Sequence, residues 1–82
     1  MDHEALRLLI RRKVRDGRLP HLRIPRVWIG HSHREMCIAC DTMLSKEQLV
    51  MEGTAATADR RALQFHVHCF QIWDSERRSA SV

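Results

Sequence analysis

Tyrosine is absent from this 82-residue chain, and phenylalanine and tryptophan occur only twice each. A chain this short buries only roughly 60% of the surface it exposes when unfolded, so its core is thin. One domain is the expectation at this length. Domains with so few large side chains usually need a staple, whether disulfides, a metal or a second chain. Cysteine is scarce too: three residues, an odd count that fits a disulfide framework badly. No stretch approaches the ~20 apolar residues of a membrane span. The run Leu8-Leu9-Ile10 is too short for the apolar core of a secretory signal, and it follows two acids. We therefore expect a cytoplasmic protein in a reducing compartment, with no membrane partner. There, Cys-x-x-Cys signals metal or redox work more often than a structural disulfide.

Catalytic signatures are missing as well. There is no Gly-rich phosphate loop, and the serines and histidines form no nucleophile–base arrangement. A Cys-x-x-Cys oxidoreductase would need a βαβ context that this chain is too short and wrongly ordered to supply. The expectation is a protein that is not an enzyme and has no small-molecule substrate.

Charge is plentiful but uneven. The formal net charge is +4, and twelve of the fourteen cations are arginine. Residues 1–36 hold nine Arg/Lys against four Asp/Glu, and residues 37–82 hold five against six. The basic excess thus lies wholly before the first cysteine. Residues 3–16, which hold five of those nine cations, read as an amphipathic helix with Leu6, Leu9, Ile10 and Val14 on one face. Arg7, Arg11, Arg12 and Arg15 cover the opposite arc. Asp2 suits the N-cap, Glu4 the first turn, and Gly17 the left-handed residue that ends the helix. Pro20 and Pro25 push the residues before them toward extended conformations, so 18–36 reads as a connector. Within it, Val27-Trp28-Ile29 is either a short strand or an apolar anchor, and residues 30–35 form a polar loop. Residues 47–55 read as a strand turning near Gly53, 54–61 as a hairpin loop and 62–65 as the return strand. From His66 to Arg78 the pattern is helical, and 79–82 is a frayed tail.

Cys37-Ile38-Ala39-Cys40 is a Cys-x2-Cys turn, whose two thiolates can reach one ion. A second half-site lies in "QFHVHCFQIW", which offers two histidines beside Cys69. On a helix of about 100° per residue, His66 projects about 60° from Cys69, one turn away on the same face. Adjacent residues such as His68 and Cys69 do not converge. The ligand set is therefore Cys37, Cys40, His66 and Cys69, with Phe70 and Trp73 packed beneath, Phe65 in the core and His68 facing solvent. His31 and His33 are rival ligands in the preceding loop. A closed Cys3His set leaves no position for water and marks one structural Zn2+; iron is the soft-ligand competitor.

The knuckle "CIAC", a hairpin, and "FHVHCF" opening a helix resemble a treble-clef zinc finger, in particular the first half of a LIM finger. The gap of 25 residues is longer than usual for that half, and a second zinc site is absent. Residues 5–78 resemble a group of small, uncharacterised bacterial proteins that join an Arg-rich N-terminal helix to a CxxC…FHxxCFxxW zinc module. The resemblance implies a small zinc-stabilised α+β fold and one zinc, and implies no activity. Two roles remain. One is weak nucleic-acid binding through Arg7, Arg11, Arg12 and Arg15, as the basic helix and the pI near 9.6 suggest. The other is a LIM-like protein-interaction adaptor, using a free strand edge at 48–52 or a groove beside the first helix.

Overall fold

Asp2 opens the first helix as its sequence position demands, its Oδ1 accepting a 2.9 Å bond from the Ala5 N–H in the computed structural model, which describes residues 2–55 and 61–80. This satisfies one of the donors that every helix start leaves free. Helix α1 (His3–Asp16) ends at Gly17, whose φ of 81° is left-handed. Leu6, Ile10 and Val14 are buried, as their spacing predicts. Leu9 is only half-buried, and Lys13 is 3% exposed in its place. Lys13 stands three residues after Ile10 and seven after Leu6, so it falls inside the apolar stripe.

Three strands follow: β1 (Val27–His31), β2 (Leu49–Thr54) and β3 (Ala62–His66), antiparallel in the order β1-β2-β3. The connector therefore contains a true sheet strand, with Trp28 opposite Glu52 and Ile29 opposite Met51. This corrects the expectation of a free edge at 48–52: β2 is the central strand, paired on both sides. It also runs straight through Gly53 instead of turning there. Glycine is needed for another reason. A Cβ at Gly53 would lie 2.5 Å from Ile24 Cγ2 and 2.8 Å from the Arg26 carbonyl, so only glycine lets the connector cross the strand. The expected hairpin loop at 54–61 falls largely on residues 56–60, outside those described.

Helix α2 (Val67–Ala80) begins directly after β3 and packs against α1 and the sheet. It continues through Ser79 and Ala80, into the segment expected to fray; residues 81–82 lie outside those described. Phe65 and Trp73 are fully buried, with ring centroids 5.5 Å apart, and Phe70 meets Phe65 edge-on. The Trp73 indole N–H donates to the Pro20 carbonyl at 3.0 Å. Three of the four large aromatics, Phe65, Phe70 and Trp73, thus form one cluster that holds α2, β3 and the connector together. The fold is a small α+β arrangement of two helices and one antiparallel sheet.

Candidate metal centre

Residues 35–44 form a tight excursion. Met36 and Met43 make an antiparallel bridge, the Cys37 N–H donates to Thr42 O at 3.0 Å, and the Asp41 N–H donates to Cys37 O at 2.9 Å. Asp41 takes a φ of 61°, a conformation that Asp tolerates better than most residues. The turn is pinned to the sheet by Ile38 N–H on Gln64 O at 2.9 Å. It is pinned to α1 by Lys13, whose Nζ donates to Ile38 O at 2.9 Å and pairs with Asp41 Oδ2 at 2.8 Å.

His66 is the last residue of β3, not the first of the helix, so the helical projection used above starts one residue too early. The pair still converges, because the strand-to-helix junction turns the imidazole back over the first turn of α2. His66 Nδ1 lies 3.4 Å from Cys40 Sγ and 3.8 Å from Cys69 Sγ. The ligand atoms of Cys37, Cys40, His66 and Cys69 all fall within 4.8 Å of one another. A tetrahedral ion with bonds of about 2.0–2.3 Å needs donors roughly 3.5–3.8 Å apart. The four residues fit a single metal ion in spacing and in chemistry, and among the described residues no other group of three or more His, Cys, Asp or Glu does so.

Electrostatics favours an anionic sulfur at Cys37. The Cys69 thiol bonds to Cys37, and the backbone N–H groups of Cys40, His66 and Ala39 add to it, holding Cys37 down to about 4 against the opposing effect of burial. The same bond to Cys37, with burial and the neighbouring negative sulfurs, pushes Cys69 up. The His66 N–H to Cys37 Sγ separation is 3.4 Å. Buried Lys13 stands beside this knuckle as a fixed cation. Its role was missed from sequence, although a lone lysine inside an apolar stripe is a signal that the helix packs against an acceptor.

The rival histidines lie elsewhere. His31 and His33 are exposed and outside the cluster; the loop holding them is organised by buried Ser32 and by Glu35, which accepts from the His33 N–H at 2.8 Å. His68 is exposed and faces His3 on α1, nitrogen to nitrogen 3.4 Å.

The arginine arc is divided by the fold. Glu76 on α2 is 4% exposed, and it pairs with Arg11 at 2.7 Å and Arg7 at 3.6 Å. Arg7 also holds Glu4. Arg12 and Arg15 are exposed, with no ion pair among the described residues, as are Arg23, Arg26 and Arg34. An open groove beside α1 is lined by Leu6, Thr42, Leu49 and His68 next to the cluster.

The chain matches no protein-family model, and neither the curated proteins nor the solved structures contain a match to it. No helix among the described residues is long and apolar enough to cross a membrane.

Proposed function

We propose that the chain is a non-catalytic module built around one structural Zn2+ held by Cys37, Cys40, His66 and Cys69, in a treble-clef-like arrangement. One observation carries this reading: four soft donors from a turn, a strand end and a helix converge on one point. When bound, the metal supplies cross-links between these elements. Three thiolates and one imidazole fill a tetrahedral site, leaving no position for a substrate or an activated water. Lys13 braces the Cys-x2-Cys turn from α1, donating to Ile38 O and pairing with Asp41. Native mass spectrometry with metal analysis tests the reading. One zinc per chain is expected, and an iron-loaded or metal-free folded protein contradicts it.

The basic side of the module binds nucleic-acid phosphates weakly and without sequence preference. Arg12 and Arg15 support this, being exposed without acidic partners among the described residues, whereas Arg7 and Arg11 are engaged by Glu76. Such contacts have dissociation constants of ~10⁻⁴–10⁻⁶ M at physiological salt. With about two phosphates neutralised on duplex DNA, log K falls against log salt with a slope of roughly −1.8. Arg12→Glu with Arg15→Glu abolishes binding and leaves the metal in place. Absence of binding to duplex and single-stranded oligonucleotides at low salt removes this part of the proposal. The adaptor reading then stands, supported by the exposed Trp28 and Ile29 on β1.

A further inference from the structure

The two edges of the sheet are finished differently. On the outer side of β3, the Ile38 N–H donates to Gln64 O and the His66 N–H approaches Cys37 Sγ, so the metal knuckle covers that edge. The outer side of β1 has no strand beside it among the described residues.

Ladder phase identifies what β1 offers. The Ser32 N–H donates to Gln48 O at 3.3 Å and extends the β1–β2 pairing by one residue. Backbone polar groups alternate in direction along an antiparallel strand, so Gly30 and Trp28 also point theirs toward β2. The same phase turns residues 51 and 53 toward β3, in keeping with the Ala55 N–H on Arg61 O at 3.1 Å. Val27, Ile29 and His31 therefore direct their N–H and C=O groups outward. Natural edges are usually blunted by lysine, proline, bulges or inward charges. Val27–His31 has no charged residue and no proline. Trp28 is 50% and Ile29 57% exposed, and as neighbours on a strand they project to opposite faces. Gly30 interrupts the strand, yet a Cβ there would meet nothing within 4 Å. Nothing among the described residues requires that glycine.

We propose that β1 pairs antiparallel with β1 of a second copy about a twofold axis through Ile29, joining two sheets into one of six strands. In this register Ile29 faces Ile29 of the second copy and Val27 faces its His31, each exchanging outward backbone bonds. Trp28 then lies opposite Gly30 of the second copy in a non-hydrogen-bonded pair, where side chains come closest. The indole covers the bare glycine, an aromatic-over-glycine pairing that stabilises sheets. The same five residues supply both the ring and the space it fills, which is the self-complementarity a twofold interface demands. No like charges meet along the strand. The pairing is independent of the nucleic-acid reading, since it uses neither Arg12 nor Arg15.

Sedimentation velocity and native mass spectrometry on the full metal-loaded chain test this from about 1 μM to 1 mM, spanning the dissociation constants of weak to moderate complexes. A species of twice the 9.6 kDa chain mass should grow with concentration. Ile29→Lys places two ammonium groups opposite each other, and Gly30→Val fills the space for the indole while meeting open solvent in the monomer. Each should weaken the dimer by about tenfold or more, with one metal retained. Leu8→Lys, on exposed α1 surface, should leave the dimer unchanged. A chain that stays monomeric throughout overturns the proposal. So does a dimer that survives both β1 substitutions, because its interface then lies elsewhere.

Discussion

Arg11 on α1 reaches Glu76 on α2 with Nε 2.7 Å from Oε1, and the carboxylate it meets is 4% exposed. The pair converts part of a basic helix face into a helix–helix clamp. Arg7 approaches the other carboxylate oxygen at 3.6 Å, so two guanidinium groups share one buried charge.

Removing Arg11 therefore leaves Glu76 with one distant partner. Breaking a buried pair costs about 3–5 kcal/mol. Arg11 is about a third exposed, and solvent screens that side, so Arg11→Ala should cost about 2 kcal/mol in urea unfolding of the metal-loaded chain. Arg7→Ala alone should cost less. The double variant should exceed the sum of the two, because each arginine partly covers for the other. Strict additivity would show that Glu76 does not couple them.

His66→Ala should abolish metal binding, whereas His68→Ala should leave the stoichiometry intact and lose only an exposed contact with His3. Structural zinc supplies roughly 10–16 kcal/mol in finger peptides, more than the ~5 kcal/mol available from a core of this size. Chelation should therefore collapse the amide NMR dispersion of residues 37–78. Retained dispersion after confirmed metal loss would contradict a structural role.

Metal retention should fall toward acid. The Cys69 thiol is pushed up by its bond to Cys37 and must lose that proton to become a ligand, so metal and proton compete there. Cys37, held down to about 4, is already a thiolate at neutral pH and releases no proton on binding. Affinity should therefore climb between about pH 5 and 8. Calorimetry in buffers of different ionisation heat should count fewer released protons than there are thiolates. A proton count equal to all three thiolates would contradict the depressed Cys37.

Two strand glycines should respond oppositely to alanine. At Gly53 the added methyl would meet Ile24 and the Arg26 carbonyl, and overpacking of this kind costs about 1–3 kcal/mol. At Gly30 it enters open space, and the monomer's stability should hold or rise slightly. Thermal melts of both variants, taken dilute and metal-loaded, check the contrast.

What the sequence determined by itself was local. Asp2 and Gly17 fix the ends of α1 through caps that need only their neighbours. The Cys-x2-Cys turn and the three-residue step from His66 to Cys69 bring donors together over one turn each, so the candidate ligands were legible even though β3 runs one residue further than the periodicity implied. Tertiary structure decided what depends on distant partners. Whether Val27–Ile29 was a strand or an anchor turned on β2, more than twenty residues away. Gly53 looked like a turn because the chain crossing it, Ile24–Arg26, is remote in sequence. Lys13 is buried because the knuckle carbonyl and Asp41 meet it there, and Arg7 and Arg11 turn inward because α2 presents Glu76. Helical periodicity assigns a side chain to a face. Only the packing of a second element decides whether that face meets solvent, a carboxylate or a core.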